Sequence, residues 1–289
     1  MTTSTEPRGL ALVTGTSSGI GRATAQRLAA DGFHVLAGVR SVADAEAVSG
    51  ESIEGIILDV TNDEHIAAVA ARVAADPAGR PLRLLVNNAG IAINAPVEVL
   101  TLADWRQQFD VSLFGQIALT RALLPTLLST HGRILNVTSV GGRIAMANYG
   151  AYSAAKFALE AVSDSLRREV ADLGVEVIKI TPGAVSTHLT ASGLAASERV
   201  GATMTAEQHR RYDELIAAFT AQAEGFARDG ASPDRAAEVI SRAAGARRPK
   251  TRYTVGRDGA MFTAMSRIAT DRLLDRVLRS QNRRLATSR

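Results

Sequence analysis

Apolar runs of strand length alternate with helical stretches along most of the chain. Strands are predicted at Leu10 to Val13, His34 to Ala37, Ile53 to Leu58, Leu82 to Asn87, Arg133 to Thr138 and Val175 to Thr181. Helices are predicted between them at about Ile20 to Ala30, Ala43 to Val48, Glu64 to Ala74, Leu102 to Leu128 and Ala151 to Asp172. The strand runs are close to continuously apolar, so both sheet faces must be covered, and the intervening helices are long enough for parallel crossovers. The pattern predicts a doubly wound parallel sheet of the α/β class.

Pro182-Gly183 closes the sixth strand, and the pattern then loosens into Ala, Ser, Gly and Thr until about Thr205. A helix over Ala206 to Ala227, a helix start at Ser232-Pro233, a strand at Arg252 to Val255 and a last helix near Phe262 to Leu285 follow. No second hydrophobic core is visible. The expectation is one domain, with residues 8–190 as its core and residues 191–289 as a lid and extension.

With 46% hydrophobic and 21% charged residues among 289, the chain has ample apolar surface for a core. It has no Cys, which removes disulfides, thiolate metal sites and cysteine nucleophiles. His34, His65, His131, His188 and His209 offer no close ligand spacing, so no metal is expected. The polar start MTTSTEPRG lacks an apolar signal region, and no stretch of eighteen uninterrupted apolar residues occurs, which predicts a cytoplasmic protein without a membrane span. The net charge of +4 hides a basic tail: Arg242 to Arg289 holds thirteen Lys or Arg against Asp258, Asp271 and Asp275. Alternation with Leu and Val across Arg272 to Leu278 reads as the solvated side of an amphipathic helix, and no nucleic-acid signature accompanies it.

Chemistry enters at Thr14-Gly15-Thr16-Ser17-Ser18-Gly19-Ile20-Gly21, directly between the first strand and the first helix. Glycines at such a turn let backbone N–H groups approach a pyrophosphate, whose charge the helix N-terminus stabilises. A dinucleotide site that selects NAD usually carries a carboxylate at the tip of the second strand. Here the tip reads Gly38-Val39-Arg40-Ser41. A guanidinium suits a 2′-phosphate, so NADP is expected ahead of NAD.

Tyr152 and Lys156 are four apart in a strongly helical segment and share a face. A neighbouring ammonium favours phenolate, which tunes a tyrosine for proton transfer to a carbonyl. Ser139 ends the fifth strand, where α/β folds gather ligand groups, and its hydroxyl is placed to donate to the same oxygen.

Taken together, Thr14-Gly-x-x-x-Gly-x-Gly21, Asn87-Asn88-Ala89-Gly90, Ser139, Tyr152-x-x-x-Lys156 and Pro182-Gly183 resemble the short-chain dehydrogenase/reductase family, from about Arg8 to Thr190. The resemblance implies a Rossmann-type fold and metal-free hydride transfer between a nicotinamide and a carbonyl or alcohol. It implies Tyr152 as acid/base, Lys156 as the residue that tunes it and holds the nicotinamide ribose, and Ser139 as the group orienting the substrate. It further implies cofactor contacts from Gly15, Ser17, Ser18, Gly19, Ile20, Gly21, Arg40, Asp59, Val60, Asn87, Ala89, Gly90, Pro182, Gly183 and Thr187. Ser112 stands where the family usually has a catalytic Asn that holds a relay water. The tail Arg247 to Gly256 resembles the subset related to 17β-hydroxysteroid and retinol dehydrogenases. The family also implies a homodimer or homotetramer, with Leu102 to Leu128 and Ala151 to Asp172 as its interface.

The expected substrate is an apolar carbonyl compound or its alcohol, admitted beneath a lid between about Val185 and Phe226. Leu189, Leu194, Met204, Leu215 and Phe219 offer the apolar contacts, and few charges occur from Ala184 to Leu194. A different class of reading is a cofactor-binding sensor or scaffold with little turnover, for which Ser112 speaks.

Overall fold

The computed structural model describes residues 8–286. Most of the polar N-terminal stretch and Arg289 of the basic tail lie outside the described residues. Seven parallel strands form one sheet: β1 (Leu10–Thr14), β2 (His34–Val39), β3 (Ile53–Ile57), β4 (Leu82–Asn87), β5 (Arg133–Val137), β6 (Glu176–Pro182) and β7 (Arg252–Val255). Their spatial order is β3-β2-β1-β4-β5-β6-β7, so the winding reverses between β1 and β4. Ligands of open α/β sheets bind in the crevice at that reversal, outside the carboxyl ends of the strands.

Two apolar layers sandwich the sheet. Ala11, Val13, Val35, Val86 and Ile180 face one side, against Ala25 and Leu28 of α1 (Gly19–Ala30) and Ile240 of α9 (Pro233–Gly245). Leu10, Leu12, Leu85 and Ile134 face the other, against Val69 of α3 (Asp63–Ala74) and Leu119, Leu123 and Leu127 of α5 (Gly115–Thr130). This alternation explains the continuous apolar strands: odd and even positions fill different layers. Residues after 191 contribute to these layers, because α9 packs on α1 and β7 extends the sheet.

Three boundaries differ from the sequence pattern. The predicted helix Leu102 to Leu128 is interrupted: α4 (Leu102–Phe109) passes through a single π turn, Asp110–Phe114, before α5. Gly115 follows the turn because a side chain there would collide with the Val60 carbonyl. By length and hydropathy the run Leu102–Thr130 would suffice to cross a membrane, but its apolar side is the one packed on the sheet. The loose Ala/Ser/Gly stretch is a helix, α7 (His188–Gly201), which buries only the small Gly193 and Ser197 together with Val200. The last helix is two, α10 (Arg257–Ile268) and α11 (Asp271–Ala286), the second lying on α8 (Ala206–Asp229).

Candidate active site

A cavity of about 380 Å³ opens at the carboxyl ends of the strands, at the reversal between β1 and β4. Its first wall is the glycine loop, where Gly15, Ser17, Ser18, Gly19, Ile20 and Gly21 all line it. A Cβ at Gly21 would collide with the Gly15 carbonyl, and Gly15 takes φ +69°, so the turn needs both glycines. Ser18, the N-cap of α1, makes no side-chain cap, and no acid occupies the first turn of that helix. The N-terminal amides therefore keep their capacity for a phosphate, which fits a dinucleotide pyrophosphate. Thr187 meets this loop from across the cavity, 3.3 Å from where a Cβ of Gly19 would be.

Arg40, exposed at the tip of β2, lines the far end with Asp59 and Val60. Asp59 accepts from the Thr61 N–H (2.9 Å) and hydroxyl (2.7 Å). Burial raises its pKa, but the Thr61 bonds and the Arg40 charge outweigh this and hold the carboxyl below its usual range.

The catalytic candidates gather at the opposite end. Tyr152 and Lys156 project from the first turns of α6 (Gly150–Glu169), and Ser139 follows β5, all lining the same cavity. One point fixes their proximity: a Cβ on Gly141 would be 3.0 Å from Tyr152 Cε1 and 3.4 Å from Ser139 Oγ. The Gly141 N–H donates to Ser139 Oγ at 3.0 Å, which leaves the serine proton free to donate outward. Burial pushes the Tyr152 phenol up, and the Ser139 hydroxyl pulls the other way. Burial pushes Lys156 down to about 8, opposed by the charge of Glu160 one turn on. Its ammonium donates to the Val137 carbonyl at 2.8 Å. Four residues apart on α6, Tyr152 and Lys156 share one face of the helix at the cavity.

Ser112 lies behind this group and does not line the cavity. It is fully buried in the π turn, accepting from Gln108 Nε2 (2.8 Å) and from the Ile91 N–H (3.3 Å). Gln108, also fully buried, donates to the Ile91 carbonyl (2.9 Å) and accepts from the Ile93 N–H (2.8 Å). Gly90 separates Ser112 from Lys156: a Cβ there would be 3.6 Å from Ser112 Oγ and 3.7 Å from Lys156 Nζ.

Ala89, Gly90, Pro182 and Gly183 line the cavity, but Asn87 does not. Its side chain turns into the protein on the side of α5, donating to Thr120 Oγ1 and Asn136 Oδ1, both at 2.9 Å. The cavity residue is the next one. Asn88 lines the cavity and donates to the Thr14 and Gly15 carbonyls, at 2.9 and 3.2 Å, bracing the glycine loop. The alternation of side chains along a strand separates two adjacent asparagines in this way.

Further cavity residues escaped the sequence reading. Asp258, at the start of α10, accepts from the Ala184 N–H at 2.6 Å and lines the cavity with Phe262. Glycines on either side, Gly256 and Gly259, were the available signal. Asn94, in the loop after β4, also lines the cavity, and nothing in its sequence context marked it. Of the expected apolar contacts, Leu189 and Phe219 line the cavity, while Leu194, Met204 and Leu215 do not; Met146, Tyr149 and Phe226 take their part.

A family model described as short chain dehydrogenase matches residues 9–197. The chain belongs to the short-chain dehydrogenase/reductase family. Within it, the chain is 36% identical over 260 residues to the 3-amino-tetrahydro-pyrrolizinone reductase of Xenorhabdus hominickii, covering 90% of this chain and 91% of that one. It is 34% identical over 278 residues to mouse retinol dehydrogenase 5, covering 92% and 86%. This places it near the retinol dehydrogenase subset. A solved short-chain dehydrogenase from Burkholderia cenocepacia in complex with NADP superimposes with a TM-score of 0.72 at 25% identity, covering 93% and 97%. A reductase from Brucella melitensis complexed with NADH does so with 0.69 at 25%, covering 87% and 97%. The family therefore establishes an NAD(P)-dependent oxidoreductase, and the choice between the two dinucleotides falls to the residues around Arg40.

Proposed function

We propose that the protein is an NADP(H)-dependent oxidoreductase that interconverts an apolar ketone or aldehyde and its alcohol, with Tyr152 as the acid/base. The observation that carries this reading is the convergence of Ser139, Tyr152 and Lys156 on one cavity end whose walls include Met146, Tyr149, Phe219 and Phe226. Tyr149 packs edge-on against Phe219 of α8 with ring centroids 5.3 Å apart, so the helices after β6 form an apolar cover. Arg40 and the absence of a carboxylate at Val39 favour NADP, in keeping with the NADP-bound relative.

When bound, the nicotinamide supplies or takes up the hydride. The chain supplies the proton and the geometry. Half-buried Tyr152 holds its proton at neutral pH and gives it to the carbonyl oxygen, to which the outward hydroxyl of Ser139 also donates. The phenolate left behind lies beside the Lys156 ammonium, which offsets its charge. Lys156 spends one N–H on Val137 and keeps two for the phenol and the ribose. The exposed rings of Phe114, just before α5, and Phe157, within α6, fit pairing of these helices with a second copy.

Tyr152→Phe tests the mechanism. Fold and NADPH binding should persist while turnover of hydrophobic ketones falls about 10² to 10⁴-fold, the usual worth of a general acid. Near-wild-type turnover would reject it, and a wild type without turnover on any ketone would favour the sensor.

A further inference from the structure

The carboxamide of Asn94 stands apart from every other polar group on the cavity wall. The residue is 3% exposed, it lines the cavity, and its side-chain oxygen is buried without a hydrogen-bond partner among the described residues. Its backbone is held firmly, because the preceding Ile93 N–H is bonded to buried Gln108. The covering helix makes room for it: a Cβ on Gly193 of α7 would come within 2.9 Å of Asn94 Nδ2. Ser192, beside Gly193 on that helix, is engaged with the His188 ring and carbonyl, each at 3.0 Å. The surrounding wall at Ile91, Ala92 and Leu189 is apolar.

Burying an amide oxygen with no partner lowers stability, and a leucine of similar size would avoid this. An occupant of the cavity that pairs with the group offsets this cost. We infer that Asn94 is a second recognition point, and that the substrate carries, besides its carbonyl, an amine or hydroxyl N–H or O–H that pairs with the Asn94 oxygen. The substrate class becomes amino- or hydroxy-substituted ketones on an otherwise apolar skeleton. This rests on the carbonyl reductase reading above. Rotation about the terminal torsion brings oxygen or nitrogen to the cavity at low cost, so the amide can meet such a donor.

The test pairs 1-tetralone with 2-hydroxy-1-tetralone in wild type and Asn94→Leu, with NADPH. Wild type should prefer the hydroxyketone in kcat/KM on the order of 10- to 100-fold, the discrimination typical of a buried group left unpaired by the wrong substrate. Asn94→Leu should lose that preference, and without ligand it should melt at or above the wild-type temperature. A wild-type ratio near one, or a ratio unchanged in Asn94→Leu, overturns the inference while leaving the reductase reading intact. A variant that melts several degrees lower or fails to fold assigns Asn94 to the fold and overturns it equally. Reduction of neither ketone by wild type removes the reductase reading itself, and this inference with it.

Discussion

Gln108→Glu changes one atom and should be felt at both the fold and the substrate. The amide bridges three groups: it accepts from Ile93 N–H and donates to the Ile91 carbonyl and to Ser112, all at 2.8 to 2.9 Å. The ionised glutamate keeps the acceptor and loses both donors; the neutral acid recovers one of them as an O–H. In that ionised form the single Ser112 proton goes either to the new oxygen or, across the long 3.4 Å contact, to the Ile91 carbonyl, so one of the two is left without a good bond. Stranding one buried acceptor costs about 1 to 3 kcal/mol, or roughly 2 to 12 °C in Tm at about 2 to 4 °C per kcal/mol. The carboxyl, fully buried against a carbonyl oxygen, is favoured in its neutral form, so its pKa rises on folding. The folded state then binds more protons than the unfolded one, and stability falls with pH by up to about 1.4 kcal/mol per unit between the unfolded and folded pKa. Thermal unfolding of variant and wild type at pH 5 and pH 8 should show a deficit that widens at pH 8. Because Asn94 follows Ile93, the ketone KM should rise as well. Melting within 2 °C of wild type at both pH values would refute the bridging role.

Arg40→Ala should weaken NADPH binding by about 1.5 to 3 kcal/mol and leave NADH binding unchanged; an unaltered NADPH KM, or a wild type that works better with NADH, would overturn the NADP assignment. Ser112→Asn should retain wild-type turnover or exceed it, since only Gly90, which has no side chain, stands between this position and Lys156; a large loss would show a site built around the hydroxyl. Ketone reduction should decline as pH rises past about 8, because the depressed Lys156 loses its ammonium there while the raised Tyr152 keeps its proton. A kcat flat from pH 6.5 to 9.5 would contradict that assignment.

The strands were readable because burial on both faces leaves an apolar run that no other element of that length needs. The glycine loop, Tyr152, Lys156 and Ser139 were readable because backbone approach and helical spacing constrain residue type directly. Asn87 and Asn88 were not separable in advance, since which of two neighbours faces the cavity depends on where β4 ends. The helix α7 carried no strong signal: it buries glycine and serine against the loop after β4, a packing of small residues that resembles a flexible linker in composition. Asp258 and Asn94 act through groups distant in sequence, Ala184 and Gly193, so only the assembled sheet reveals them.

The segment beyond residue 191 is tied to the chemistry by buried charge. Glu160 lies one turn beyond Lys156 on α6 and is only 5% exposed. Arg252 of β7 grips its carboxylate with both terminal nitrogens and donates to Thr181 at 2.7 Å, while Lys179 of β6 approaches it at 3.3 Å. Burial alone would raise the Glu160 pKa; the Arg252 bonds and the Lys179 charge hold the group below its usual range, hence ionised. Removing one member of such a cluster leaves a buried charge unpaired, at a cost of about 3 to 5 kcal/mol. The same strand accepts the Gly183 N–H through Val255 (3.0 Å), and Asp258 just beyond it takes the Ala184 N–H. One short edge strand and the residue that begins the next helix thus fix two separate pieces: the helix bearing Tyr152 and Lys156, and the Pro182 to Ala184 turn facing it. Their separation defines the gap in which a nicotinamide and a carbonyl must meet, so the last strand of the sheet acts on the site although none of its residues lines it.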